Sequence, residues 1–316
     1  MVYKEKKPAL IGMLGPTASG KSEVAALLAE KINGEIISCD SMQIYRGMET
    51  VTQAPSGDIT SKVKHHLVGI ISPEKEFNAA EFVTLASRAV DEVISLGKIP
   101  VLAGGTGLYV KALLEGIFSS PPGDDELRQR LAKESSEKGG TYLYDKLKKI
   151  DPEAALKIDP RNIRRVIRAL EIFELTGKTF SEKKNETKGI ADAYDVKLFA
   201  LEVSREALIE RINKRVENMF LSGIVDEVKT LSVKNMSSTA SKALGLTEVS
   251  GFIAGKAGLE DTKSEIKIKT RQYAKRQMTW LRAVKGLEWV KSEKAAGDIA
   301  SDIAARLGFT GSGGRE

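Results

Sequence analysis

Cysteine is nearly missing from this sequence. Cys39 is the only one among 316 residues, so no disulfide can form within the chain. Histidine is almost as scarce: there are two, the adjacent His65 and His66. One thiol and two imidazoles cannot supply the usual four protein ligands of a structural zinc without help from carboxylates. No apolar run reaches the roughly 18 residues that a membrane-spanning helix needs. The start carries Lys4, Lys6 and Lys7 beside Glu5. No long apolar stretch with a small-residue cleavage site follows, so a secretory leader is not expected. Together these absences lead us to expect a cytoplasmic protein. A large charge of one sign is also lacking. The net charge of +6 is too mild to argue for a nucleic-acid partner by itself. Its distribution says more, because Asp261 to Lys294 holds ten Lys or Arg against four acids. Such a segment can attract a polyanion, or can simply be the solvated face of a helix.

What is present is a globular composition, 41% hydrophobic and 29% charged, with length for one large or two moderate domains. Ala9 to Leu14 is a short apolar run that leads into glycine-rich sequence and predicts a buried first strand. Ser22 to Lys31 predicts a helix, and Glu35 to Cys39 a second strand. Phe77 to Leu96 places Phe82, Leu85, Ala86, Ala89, Val90 and Val93 at helical spacing. Ile99 to Ala103 then predicts another strand. This alternation argues for a parallel sheet with crossover helices. Ser119 to Asp125 is rich in Ser, Pro, Gly and Asp and marks a boundary. Beyond it, Glu126 to Glu174 reads as short helices cut by Gly139–Gly140, Pro152 and Pro160, and Gly177 to Ala193 as a polar loop. Val196 to Leu201 returns as a strand. Arg205 to Leu231 reads as a long helix that Gly223 can break, and Lys263 to Trp280 as a basic helix. The expected organisation is an α/β core over 1–119 and 191–310, with C-terminal helices. A helical insertion occupies 120–190, and 311–316 forms a Gly/Ser tail.

Three glycine-marked or acidic corners carry the chemistry. Gly15-Pro16-Thr17-Ala18-Ser19-Gly20-Lys21-Ser22 has the G-x-x-x-x-G-K-[ST] spacing between a strand and a helix. Its backbone N–H groups can surround an oxyanion, and the helix start adds a positive end. Lys21 supplies an ammonium to phosphate oxygens, and Ser22 is placed to bind Mg²⁺. The motif implies a phosphate chain with Mg²⁺; it specifies neither ATP nor hydrolysis. Asp40 follows the second strand directly, at the edge where ligands of open parallel sheets bind. It can act as a base or hold the metal's water shell, or it can cap the next turn. Ser41 and Gln43 stand beside it, and an amide such as Gln43 can read a base edge. Gly104-Gly105-Thr106-Gly107 follows the Ile99–Ala103 strand and should reach the same crevice. A plain tight turn is the competing account. His65 and His66 are expected to be structural or substrate-lining, without a metal role.

These residues also carry a resemblance. Gly15–Ser22 (GPTASGKS), Asp40–Tyr45 (DSMQIY), His65–Leu67 (HHL), Gly104–Tyr109 (GGTGLY), Arg165–Glu171 (RVIRALE) and Arg271–Trp280 (RQYAKRQMTW) occur in one order. In that order they resemble the tRNA dimethylallyltransferases, from about Leu10 to Trp280. The resemblance implies a P-loop NTPase-like core that transfers a dimethylallyl group from dimethylallyl diphosphate. The acceptor would be N6 of the adenosine next to the anticodon, on its 3′ side, in tRNA. It implies that the phosphate loop holds the diphosphate, with Mg²⁺. Asp40 would be the general base, and Thr106 would help to hold the site. An arginine of the helix after the insertion would steady the diphosphate, Arg211 being the first match and Arg215 the second. The insertion would clamp the anticodon stem-loop. On the RNA side, Arg161, Arg164 and Arg168 form one basic set, and Lys275, Arg276, Gln277 and Arg282 another. Arg165 can instead join a structural network near Glu171. A monomer is expected. The chain departs from the family pattern at Gln53, Lys64, Gly69 and Leu246. The rival functions are a prenyltransferase of free adenine nucleotides, a P-loop small-molecule kinase and a non-enzymatic RNA-binding protein.

Overall fold

A computed structural model of the protein describes residues 7–118, 123–185 and 187–309. Six strands form one sheet: β1 (Ala9–Leu14), β2 (Gly34–Ser38), β3 (His65–His66), β4 (Ile99–Gly104), β5 (Asp195–Glu202) and β6 (Leu287–Lys291). Every pairing is parallel, in the order β3-β2-β4-β1-β5-β6. A sheet of this kind is covered on both faces, which is why β1 reads as continuous Ala-Leu-Ile-Gly-Met-Leu without alternation. One covering layer brings Val24 and Leu28 of the helix Lys21–Lys31 against Ile11, Met13 and Phe199. Ile299 and Ile303 of the helix Ala296–Arg306 join the same cluster. Fully burying a side chain of this size contributes about 1.5–3 kcal/mol each. The helix Ala79–Ser95 starts at a capping box. Asn78 Oδ1 accepts from the N–H groups of Ala80 and Glu81, at 2.9 and 3.1 Å, and the Glu81 carboxylate accepts from Asn78 N–H.

The strand order explains the site. β2, β4 and β1 are neighbours, so the loops after them leave the sheet side by side at its carboxyl edge. Two strand spacings of about 4.8 Å separate β2 from β1, a gap that side chains can span.

Some expectations need correction. His65 and His66, assigned to no element from the sequence, form an edge strand in register with Ile36 and Ile37. The Gly177–Ala193 segment is not all loop, since it contains the helix Phe180–Asn185 and a 3₁₀ turn at Ala191–Ala193. The long helix does break at Gly223 as expected, into Arg205–Leu221 and Ile224–Ser232. At the break, Gly223 has φ +85°, a left-handed conformation that glycine adopts without steric cost. Among the described residues, no helix is long and apolar enough to cross a membrane.

The chain divides into two compact units, Met1–Leu114 with Ile190–Glu316, and Glu115–Gly189. The expected insertion start at residue 120 and the tail 311–316 lie outside the described residues. Within the second unit, the helices Asp125–Lys138, Tyr142–Ile150 and Ile163–Thr176 enclose Leu127, Leu131, Leu143, Leu147, Val166 and Leu170. Pro152 opens a short helix at its first position, where its missing N–H costs nothing. Asp151 caps that helix through Ala154 N–H at 2.9 Å.

Candidate active site

The phosphate loop leaves β1 in an unusual backbone shape. Ala18 has φ +63° and Gly20 φ +92°. A left-handed alanine costs roughly 1–2 kcal/mol, and such strain concentrates where a loop must turn its N–H groups inward. Gly15 has no room for a side chain, because a Cβ would stand 2.7 Å from Ser19 Oγ. That Ser19 hydroxyl is enclosed and without a hydrogen-bond partner.

Lys21 opens the following helix, and its ammonium donates to the Pro16 carbonyl at 3.3 Å. Burial lowers its pKa to about 8; the Asp40 charge opposes this shift and Arg215 adds to it. One cavity is lined by Lys21, Ser22, Asp40, Gln43, His65 and Gly104, together with their neighbours. All three strand-end corners therefore reach the same opening.

At the second corner, Asp40 Oδ1 accepts from Met42 N–H at 2.9 Å. This local turn uses one carboxylate oxygen. At the third corner, the Thr106 hydroxyl accepts from Ser41 N–H at 3.1 Å, and Thr106 N–H donates to the Cys39 carbonyl at 3.2 Å. The second and third corners are thus stitched together. Gly104 is required there, since a Cβ would lie 2.4 Å from the Cys39 carbonyl oxygen. Gln43 lines the cavity with its amide engaged at both ends. It accepts from Ser38 Oγ at 3.2 Å and donates to the Gln53 carbonyl at 3.0 Å. Burial pushes the Cys39 thiol up, so it stays protonated in the core.

The arginines separate. Arg215 donates to Thr17 Oγ1 at 2.7 Å, and it feels both burial, which lowers its pKa, and the charge of Asp40, which raises it. Arg211 donates to the Ser19 carbonyl at 2.7 Å and is exposed. Both arginines line a second hollow, with Gly20, Glu23, Leu201 and Lys294. Arg215, the second sequence match, is thus the arginine electrostatically linked to Asp40 and Lys21.

The adjacent histidines have different surroundings. His66 meets the buried carboxylate of Glu35 at 2.7 Å, and Lys98 meets its other oxygen at 2.7 Å. His65 lines the cavity, donates through Nδ1 to the Val63 carbonyl at 2.7 Å, and has its pKa lowered by burial. It is a neutral imidazole at pH 7, with Nε2 as the acceptor nitrogen. Two departures from the family pattern have local reasons. Gly69 has φ +62°, a conformation that glycine, asparagine and aspartate tolerate better than other residues. Lys64 pairs with Glu92 at 2.7 Å.

On the expected RNA side, Lys275, Arg276 and Arg282 are exposed. Gln277 is placed elsewhere: it is buried, with one end of its amide on Thr17 N–H and the other on the Gly105 carbonyl. Trp280 packs over Gly107, where a Cβ would fall 2.4 Å from a ring carbon. In the helical unit, Arg164 and Arg165 are exposed. Arg161 forms a two-bond pair with Asp159 at 3.1 and 2.8 Å. Arg168 joins Arg128 on the fully buried carboxylate of Glu171. Arg168 is held in the fold of its own unit, in the structural role that the sequence suggests for Arg165.

The family model described as IPP transferase matches residues 43–284. The chain belongs to the IPP transferase family. It is 41% identical to the tRNA dimethylallyltransferase of Geobacter sulfurreducens over 303 residues, 95% of this chain and 97% of that one. A crystal structure of the tRNA isopentenylpyrophosphate transferase of Bacillus halodurans superposes with a TM-score of 0.68 at 36% identity, covering 96% of this chain and 97% of that chain. A eukaryotic dimethylallyltransferase, captured acting on tRNA, gives a TM-score of 0.76 at 27% identity, covering 96% of this chain and 80% of that one. These two structures share the fold over 96% of this chain.

Proposed function

We propose that this protein transfers the dimethylallyl group of dimethylallyl diphosphate to N6 of the adenosine 3′ to the anticodon in tRNA, releasing diphosphate. The observation that carries this reading is the single cavity lined by Lys21, Ser22 and Asp40. An exocyclic adenine amine is a weak nucleophile, because its lone pair is delocalised into the ring. Cleavage of an allylic carbon–oxygen bond, by contrast, leaves a resonance-stabilised, cation-like carbon. The protein therefore gains most by stabilising the departing diphosphate. Phosphate-loop amides, Lys21 and Arg215 meet the charge that grows on it. Asp40 takes the proton that the amine loses as the new C–N bond forms.

Ser22 and Asp40 offer oxygen donors beside the phosphate loop, a set that suits Mg²⁺ when substrate phosphates supply further oxygens. Ser22 would hold the ion, which when bound would neutralise diphosphate charge. For the RNA, the exposed Lys275, Arg276 and Arg282 suit the phosphate backbone, as do Arg164 and Arg165 of the helical unit.

The test is mass analysis of an anticodon stem-loop RNA after incubation with dimethylallyl diphosphate, Mg²⁺ and the protein. The expected result is an added dimethylallyl mass on the adenosine 3′ to the anticodon. Modification of free AMP with an untouched stem-loop would replace this reading with the free-nucleotide one. Phosphoryl transfer from ATP to a small molecule, with no prenyl product, would replace it with a kinase.

A further inference from the structure

Gln277 sits in a basic stretch of sequence that points toward RNA, yet its side chain is buried, 4% exposed, within the protein. Its Oε1 accepts from the backbone N–H of Thr17 at 2.8 Å, and its Nε2 donates to the backbone carbonyl of Gly105 at 3.0 Å. Thr17 belongs to the phosphate loop after β1. Gly105 belongs to the corner after β4 that carries Thr106. A side-chain amide offers an acceptor and a donor on one rigid plane, so the residue type matches the two backbone groups that it joins. The fit is close. A Cβ on Gly105 would lie 2.3 Å from Gln277 Nε2 and 2.7 Å from the Gly15 carbonyl oxygen.

We propose that Gln277 is a positioning residue that fixes the phosphate loop against the acceptor-side corner, and so sets the distance between donor carbon and adenosine amine. The inference rests on the transfer reaction proposed above. Two consequences support it. Thr17 N–H is already committed to Gln277 and is withdrawn from the phosphate cradle. The Thr17 hydroxyl in turn receives Arg215 at 2.7 Å, so Gln277 also places that guanidinium. One helical turn earlier, the Tyr273 phenol lies close to Asp40, Thr106 and Gln277. One face of the helix Leu259–Leu281, carrying Tyr273, Gln277 and Trp280, therefore lies over both corners, while Lys275 and Arg276 on the same helix remain exposed. Reacting atoms must approach to about 3–3.5 Å, and a misplacement of about 1 Å can cost 10²-fold in rate.

The experiment compares wild type, Gln277→Leu and Gln277→Glu in transfer to an anticodon stem-loop, with kcat, both KM values, thermal midpoints and pH profiles. Gln277→Leu is expected to lose about 10²-fold in kcat, with KM for donor and RNA near wild type. In Gln277→Glu, the new carboxyl can donate to the Gly105 carbonyl only while protonated. Its kcat relative to wild type should therefore recover as pH falls, while the ratio for Gln277→Leu stays flat. If Gln277→Leu does not fold, the pH profile of Gln277→Glu alone decides. Wild-type kcat in either variant, a loss confined to the KM for RNA, or a Gln277→Glu ratio flat with pH would overturn the inference. Absence of product with wild-type protein would instead remove the proposed function, which keeps the two failures distinct.

Discussion

The cations of the sheet-edge site and the acid-bound cations of the helical unit are kept in opposite states. At the site, Lys21 rests on a backbone carbonyl and Arg215 on a hydroxyl. Neither forms an ion pair among the described residues. In the Glu115–Gly189 unit, Arg128 and Arg168 share the buried Glu171, and Arg130 and Lys146 share Glu174. A buried carboxylate needs such partners, because an unpaired one would cost several kcal/mol. A cation held only by neutral oxygens keeps its charge for an incoming anion. The difference teaches that basic residues in this chain must be sorted by what they touch before they are assigned to RNA or to diphosphate. An exposed pair such as Arg161–Asp159 is worth only ~0–1 kcal/mol and can still exchange its partner.

The comparison can be broken at several points. The largest effect is expected at Asp40. In Asp40→Asn, the transfer rate should fall by about 10²–10⁴-fold while RNA affinity is retained, measured by single-turnover kinetics and RNA titration. Full activity would remove the base. Next, Lys21→Ala should lower kcat/KM for the donor by about 10²–10³-fold, as loss of one stabilising donor does. Unchanged donor kinetics would show that the phosphate loop is not used. A third effect concerns stability. Arg168→Ala removes a charged hydrogen bond from Glu171 and should destabilise the protein by about 1.5–3 kcal/mol in chemical denaturation, with the RNA affinity of folded protein unaltered. A weakened affinity without destabilisation would return Arg168 to the RNA side. The smallest effect is electrostatic. Removing Lys275 and Arg276 should flatten the dependence of log affinity on log salt by about 0.7–0.9 for each phosphate that the variant no longer neutralises. An unaltered slope would separate both residues from the RNA backbone.

The phosphate loop, Asp40 and the Gly104–Gly107 corner were legible because each is a local pattern that follows a strand. Their convergence was legible from strand alternation. What escaped was long-range or short. The Gln277–Thr17 bond joins residues 260 positions apart, which no local spacing reports. β3 is two residues long, too brief for periodicity, and β6 went unread although it is as long as β2. Arg211 and Arg215 lie one helical turn apart, so only the docking of their helix decides which one reaches Thr17. The pairing of Arg168 with Glu171 escaped for a similar reason: a basic run gives charge, and the buried acid that meets it is visible only in the fold.

Beneath all of this, Lys21 and Asp40 must share one chamber. Binding of an unreactive dimethylallyl thiodiphosphate analogue, measured by calorimetry across pH, tests that directly. Lys21 must be charged to hold phosphate, and its charge is lost as pH rises through about 8, so affinity should fall there in wild type. The Asp40 carboxylate helps Lys21 to keep its proton, so in Asp40→Asn the fall should move to lower pH. An identical pH dependence in the two proteins would contradict a shared chamber.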